Sequence, residues 1–401
     1  MRESSIYLDN NATTRMDPAV AERMFELDQM GMANPASQHR AGRHALRLLE
    51  AAKSSLLRSL GAAQEGMHSA QVILTSGGTE ANNLALHSYT YQREGLVIVG
   101  AAEHSSILQA AELSAICLNP VRRLPMLSGG HYDLSQLAEW LEAIYGGRDQ
   151  HSRVALVSLM FANNETGVIN DLAQVVKLCQ QYQIPVHSDI VQAVGKVDFD
   201  MDSLGLSSVT VAAHKIHGPV GIGALIVQSE TPARPMLVGG GQQLGWRAGT
   251  EPVVLAVGMG RALELAEEAR RQGCYQQVAD LRDSLEAQLI ERLGGVEANG
   301  DPQRRVPQTS NLSFVGLDRQ ALQMALDLAG VACSTGSACS SGSSRPSTTL
   351  TAMGLSEPRI ASALRLSLSR FTTQDEISRA VDILVSVVQK QRRLGDVASV
   401  H

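Results

Sequence analysis

Val209 to Gly223 reads V-T-V-A-A-H-K-I-H-G-P-V-G-I-G. Val209 to Ala213 is a short run of β-branched and small apolar residues, the composition of a buried strand. It stops at His214-Lys215, and Gly218, Pro219, Gly221 and Gly223 then turn the backbone before a second apolar run, Ala224 to Val227, returns to the sheet. A lysine where a buried strand meets such a turn is only partly hydrated. Desolvation lowers an amine's pKa, and an unprotonated amine condenses with carbonyls. The other reading of Lys215 is a side chain that snorkels to water at a strand end.

Outward from this stretch, strands and helices alternate. Val72 to Thr75, Leu96 to Val99, Val154 to Met160 and Val186 to Asp189 read as strands, with helices over Thr79 to Tyr91 and Leu172 to Tyr182. Short apolar runs separated by helices describe an α/β protein with a mostly parallel sheet covered on both faces. Ligands of such sheets collect beyond the carboxyl ends of the strands. Upstream, Asp17-Pro18 caps a helix to Gln29, and Arg43 to Leu60 forms another. No element is assigned between His104 and Val154. Downstream, the glycine-rich stretch Gly239 to Thr250 leads into a helical region from Pro252 to Arg292, broken near Gly273. Asn311 to Val315, Ala321 to Leu328, Val331 to Cys333, Leu364 to Leu368 and Gln374 to Leu394 suggest a smaller α/β unit. The expected division is a large domain over 15–260 and a small one of 1–14 with 261–401. A mobile loop is expected at about 333–346, where Cys333 to Ser344 reads C-S-T-G-S-A-C-S-S-G-S-S.

The 401 residues, 44% of them hydrophobic, suffice for large cores, and a net charge of −6 with only 3% aromatic residues argues against nucleic acid as a ligand. No apolar run approaches a membrane span, and Met1 to Asn11 has neither a signal-peptide core nor transit-peptide character. Five cysteines, an odd number, fit a reducing cytosol better than a disulfide framework. A cytoplasmic protein is expected.

Polar stations punctuate the strand ends. Ser76 to Glu80, S-G-G-T-E, is either an ordinary capped turn or an anion cradle in which the amides of Gly78 and Thr79 open a helix. His104, in A-E-H-S, is a cap or an acid/base group stacked on a flat ligand. Asn163 to Gly167, N-N-E-T-G, is a turn directly after a strand. Asp189 ends a strand, where it caps a helix or holds a proton on a heterocyclic nitrogen. Cys339 lacks the apolar neighbours of a structural cysteine. Zinc on Cys333, Cys339, His214 and His217 is the rival reading, but no paired C-x-x-C is present, and no metal site is expected.

Together these stations resemble the cysteine desulfurases, a branch of the class V aminotransferases that uses pyridoxal 5′-phosphate. The resemblance spans nearly the whole chain. It rests on Y-L-D-N-N-A-T-T from Tyr7, N-P-A-S-Q-H from Asn34, T-S-G-G-T-E from Thr75, E-H-S-S from Glu103 and N-N-E-T-G from Asn163. A-H-K-I-H-G-P from Ala213, R-A-G-T from Arg247, S-T-G-S-A-C-S-S from Ser334 and L-R-L-S-L-S-R-F-T from Leu364 complete it. It implies fold type I of pyridoxal-phosphate-dependent transferases, with a mostly parallel seven-stranded sheet in the large domain and a smaller α/β domain.

The resemblance also implies roles. Lys215 would hold the cofactor covalently and shuttle the Cα proton. Asp189 would keep the pyridine nitrogen protonated, making the ring an electron sink. His104 would stack on the ring and serve in proton transfer. Gly78, Thr79, Ala212 and His214 would surround the phosphate, with Thr250 contributed by the second subunit of a homodimer. Gln192 would bond the ring hydroxyl. Asn34, Asn164 and Arg365 would bind substrate, the arginine through a bidentate pair with the carboxylate. Cys339 would take the sulfur of L-cysteine as a persulfide, release L-alanine, and pass the sulfur to an acceptor such as an iron–sulfur scaffold. As a long-loop cysteine it could also ligate a cluster transiently. Alternatives are a selenocysteine lyase or another class V lyase or aminotransferase, or a non-catalytic scaffold of the same fold. The S-G-S-A-C-S-S context favours the desulfurase.

Two positions depart from the pattern. Ala212 stands where a Ser or Thr hydroxyl usually meets the phosphate, and Ile190-Val191 follow Asp189 where smaller or hydroxylated residues are usual. A lost hydroxyl contact to a phosphate weakens binding by about 1.5–3 kcal/mol when nothing compensates.

Overall fold

A computed structural model describes residues 5–64, 69–91, 94–117, 119–151, 153–231, 233–336 and 346–398; Cys339 and most of its Ser/Gly stretch lie outside them. In chain order the strands are β1 (Ile6–Tyr7), β2 (Gln71–Thr75), β3 (Leu96–Gly100), β4 (Val121–Leu124), β5 (Val154–Ser158), β6 (Val186–Asp189), β7 (Ser208–Ala212), β8 (Gly223–Val227), β9 (Val296–Ala298), β10 (Thr309–Phe314), β11 (Val331–Ala332) and β12 (Ala363–Ser367).

Among the described residues the large sheet has seven strands, in the order β2-β8-β7-β6-β5-β3-β4. Only β8 runs against its neighbours β2 and β7; the remaining pairs are parallel. Strands β3, β5, β6, β7 and β8 are buried along their whole length, and β3, β5 and β8 accordingly read as near-continuous apolar runs rather than alternating ones, while β6 buries His187, Ser188 and Asp189 as well. Because β8 reverses direction, β2, β3, β5, β6 and β7 all end on the same edge of the sheet. At the start of β8, a Cβ on Gly223 would lie 2.7 Å from both the carbonyl carbon of Gly77 and the carbonyl oxygen of Val211. Only glycine lets β8 begin against the S-G-G-T turn.

Several boundaries differ from the sequence reading for identifiable reasons. β7 ends at Ala212, one residue early, because the Ala213 carbonyl turns to accept from Ile216 N (3.0 Å) and Gly218 N (2.9 Å), closing a 3₁₀ turn over Ala213–Lys215. The helix expected from Arg43 begins at Arg40, capped by His39, whose Nδ1 accepts from Gly42 N at 3.1 Å. Histidine is not among the usual cap residues. The helices Ser105–Cys117 and Leu134–Tyr145 and the strand β4 went unread. β4 is V-R-R-L, whose paired arginines break the apolar run. It is an edge strand, where charge guards the open ladder, and Arg122 pairs with Asp149 at 3.0 Å.

The main apolar core packs around this sheet, from Leu49 and Leu56 on the helix Arg40–Ser59 to Met259 and Leu263 on the helix Val253–Arg271. A second core joins Ile6 and Leu8 to Leu285, Phe314, Leu366 and Val381, beneath the antiparallel sheet β12-β10-β9 and the parallel pair β1-β11. The helix Val253–Arg271 gives Ala262 and Ala266 to the first core and Ala269 to the second. It breaks as expected at Gly273, whose φ of 77° opens the helix Cys274–Leu293. Among the described residues, no helix is long and apolar enough to cross a membrane.

Candidate active site

The common carboxyl edge of the sheet carries the chemistry. β2 leads to Gly78, β3 to His104, β5 to Asn164, β6 ends on Asp189, and β7 leads to His214 and Lys215. A cavity of about 290 Å³ opens there. Gly78, Thr79, His104, Asn164, Asp189, Gln192, Ala212, His214, Lys215 and Arg365 all line it. Elements as far apart in sequence as β2 and β12 thus deliver one set of side chains to one place.

Lys215 is half-buried, and its Nζ donates to the carbonyl oxygens of Asn11 (2.5 Å) and Ala12 (2.6 Å). Two backbone dipoles thus orient the amine. Asp189 is buried; its Oδ1 accepts from Val191 N (3.0 Å) and its Oδ2 from Asn82 Nδ2 (2.8 Å). The helix Gly78–Thr90 begins without a side-chain cap at Gly77, so its first amides keep their capacity for an anion. Arg365, 1% exposed, donates from Nη1 to Asn164 O (3.1 Å) and from Nη2 to Asp9 Oδ1 (2.8 Å).

Burial and positive neighbours shape the electrostatics. His214 is pushed down to about 4 by burial and then by Lys215 and Lys196, so it is neutral at physiological pH. Lys196, itself buried, is lowered to about 7 by burial and by Lys215. The positive charge of Lys215 thus adds to burial in loosening the hold of Lys196 on its proton. Behind the site, burial raises Glu103 to about 8, although Tyr132 Oη (2.5 Å) and Met160 N (2.7 Å) both donate to it.

Three sequence-derived site residues stand apart. Asn34 is exposed in a turn, its Oδ1 accepting from Ala36 N at 2.9 Å, and does not line the cavity. Thr250 is likewise exposed and away from it. Cys339 lies outside the described residues. Among the described residues, no three His, Cys, Asp or Glu side chains gather into a group able to hold a metal ion.

Residues 6–380 match the aminotransferase class-V family. The chain belongs to that family. It is 36% identical over 394 residues to a cysteine desulfurase of Nostoc sp., with 98% of this chain and 95% of the relative covered. It is 38% identical over 389 residues to a cysteine desulfurase of Bradyrhizobium diazoefficiens, with 96% and 95% covered. Among solved structures, a NifS-like protein from Rickettsia africae superposes with a TM-score of 0.85 at 32% identity, covering 96% of this chain and 99% of that one. Within the class V aminotransferases the chain thus falls in the cysteine desulfurase branch, and its large parallel-rich sheet is the expected fold type I.

Some residues of this class V site went unread as such. The N-terminal D-N-N-A-T-T carries part of the resemblance without an assigned role, yet its Asn11 and Ala12 line the cavity. Asn11 Nδ2 donates to Asn164 O (3.1 Å) and Thr309 Oγ1 (2.8 Å), Asn11 O accepts from Gln192 Nε2 (3.1 Å), and Thr13 Oγ1 meets His214 Nδ1 (3.2 Å). These contacts span up to 298 residues of sequence, beyond any local pattern. Asn82, in the helix after the S-G-G-T-E turn, was also unread; a buried Asn on an apolar helix face was its one available signal. Two quoted motifs meet directly: Arg247 Nε donates to Glu80 Oε1 at 2.8 Å, tying R-A-G-T to S-G-G-T-E.

Proposed function

We propose that the chain is a pyridoxal 5′-phosphate-dependent L-cysteine desulfurase that converts L-cysteine to L-alanine and carries the sulfur on Cys339 as a persulfide. The observation that carries this reading is the convergence of Lys215, Asp189, His104 and Arg365 on one cavity at the carboxyl edge of the sheet.

The donor set fits the cofactor. Its phosphate suits the uncapped start of the helix Gly78–Thr90, and its ring nitrogen suits the carboxylate of Asp189. Two buried oxygens of lining residues, Gln192 Oε1 and Asn82 Oδ1, have no hydrogen-bond partner among the described residues. Gln192 would meet the ring hydroxyl, His104 the ring face and Lys215 the aldehyde. When bound, the cofactor withdraws electrons from the substrate Cα, which lets bonds at that carbon break.

The chain's own residues do the rest. Lys215, held by the Asn11 and Ala12 carbonyls, moves the proton at Cα. Arg365 holds the substrate carboxylate, with Asn164 beside it. Cys339 attacks Sγ of L-cysteine; a sulfur–sulfur bond forms as the carbon–sulfur bond breaks. In sum, one enzyme thiol and one cysteine give one enzyme persulfide and one alanine. Cys179 and Cys333 suit that task poorly, since burial pushes both thiols up to about 12.

The same reading makes the protein a cytoplasmic homodimer that passes sulfur to an acceptor protein, such as a scaffold for iron–sulfur clusters. Val238 and Leu244, 85% and 78% exposed beside the glycine-rich stretch, are apolar surface for a second copy to cover, and that copy would bring its Thr250. The second core draws only on Ile6, Leu8 and residues from Ala269 to Val388, which fits a small unit of 1–14 with 261–401 beside a large one over 15–260, while Leu263, Ala266 and Leu350 pack into the first core. The test is purified protein with L-cysteine and a thiol reductant, assayed for sulfide and alanine together. Equal yields are expected; alanine without sulfide, or neither, would contradict the reading.

A further inference from the structure

His104 stands just before the helix Ser105–Cys117, and its carbonyl accepts from Ile107 N (2.9 Å) and Leu108 N (3.2 Å). Its side chain turns back on the same helix, with Nδ1 3.2 Å from Ser106 N and 2.7 Å from Ser106 Oγ. Ser106 Oγ in turn lies 2.8 Å from Asn82 Nδ2, which also reaches Asp189 Oδ2 at 2.8 Å. Asn82 and Ser106 are 1% and 6% exposed, so water does not compete for these contacts.

Both ends of this chain are polarised. A backbone N–H can only donate, so Nδ1 of His104 must present its lone pair to Ser106 N. A carboxylate can only accept, so Asn82 turns its amide nitrogen to Asp189 and donates its second hydrogen to Ser106 Oγ. The hydroxyl hydrogen of Ser106 is then directed at Nδ1. Each member has one consistent role.

We propose that Asn82 and Ser106 are positioning residues that fix His104 as the tautomer with its hydrogen on Nε2, so that the imidazole offers a proton donor, not a base, to what the cavity binds. With Nδ1 occupied by two donors, His104 starts the reaction able to deliver a proton. Lys215 is then the group that must remove one. The division of labour rests on the desulfurase reading; the tautomer does not.

The experiment is ¹⁵N NMR of the full-length protein as purified, with labelled histidine and the His104 signals assigned by difference against His104→Gln. Wild type is expected to show an unprotonated Nδ1 and a protonated Nε2. Ser106→Thr keeps the hydroxyl and should retain that pattern. Asn82→Asp puts an acceptor where the amide donated and draws away the Ser106 hydroxyl hydrogen, so only the 3.2 Å contact from Ser106 N still holds Nδ1 as an acceptor, and the Nδ1-protonated share should rise measurably. A protonated Nδ1 in wild type, or the wild-type pattern in Asn82→Asp, overturns the proposal. Protein that shows the tautomer but releases no sulfide would instead sink the desulfurase reading alone.

Discussion

Arg365 and Asp9 form an ion pair, Nη2 to Oδ1 at 2.8 Å, at the edge of the cavity proposed to take an amino-acid carboxylate. The arginine is nearly sealed from water while Asp9 is partly exposed. Arg365→Ala is expected to raise KM for L-cysteine on the order of 10- to 100-fold, the range of a charge-assisted contact of about 1.5–3 kcal/mol. Asp9→Asn keeps an acceptor for Nη2 but removes a competing negative charge. Its KM should fall while its thermal stability drops, because a buried guanidinium loses its counter-ion. An unchanged KM in Arg365→Ala would mean the carboxylate is held elsewhere.

Lys215→Ala removes the amine that the Asn11 and Ala12 carbonyls orient. The purified variant should lose its visible cofactor absorbance on desalting. Full colour after desalting would defeat the assignment of Lys215.

Glu103 makes stability depend on pH in an unusual direction. Burial raises its pKa from 4.5 to about 8, so between those values the native state keeps a proton that the unfolded state has lost. With more protons bound to the folded form, stability falls as pH rises through this window, at ~1.4 kcal/mol per unit. Glu103→Gln retains an oxygen to accept from Tyr132 Oη and Met160 N and carries no proton to lose. Its melting temperature should exceed that of wild type by a margin that widens from pH 5 to pH 8. Parallel melting curves would show that Glu103 ionises freely in the fold.

Ala212 lines the cavity beside Gly78, where a Cβ added to the glycine would lie 3.6 Å from the alanine Cβ. A hydroxyl added here is close to the proposed phosphate cradle. Ala212→Ser should retain cofactor through dialysis about tenfold better, since a hydrogen bond to a charged group is worth about 1.5–3 kcal/mol. Equal or faster loss would show that the Ala212 side chain does not face the phosphate.

Much of this was legible from the chain. Runs of apolar and β-branched residues such as Leu96 to Val99 and Val209 to Ala213 mark buried strands, and the polar residues that follow them, His104 and His214-Lys215, reach the cavity. β4 was hidden because an edge strand trades apolar residues for Arg122 and Arg123. The wall built by Asn11 and Ala12 was hidden for a different reason. They act through backbone carbonyls, which every residue has, toward a lysine some 200 positions away. The Asn82–Ser106–His104 connection likewise depends on the helices Gly78–Thr90 and Ser105–Cys117 packing against each other and has no local signature.

The most direct measurement is the mass of the protein after brief exposure to L-cysteine without reductant, compared between wild type and Cys339→Ala, with alanine quantified in the same samples. Wild type should gain one sulfur atom on the peptide carrying Cys339 for each alanine released, and Cys339→Ala should keep its cofactor absorbance and gain none. Alanine released at the wild-type rate by Cys339→Ala, or sulfur found on another cysteine, would contradict the account.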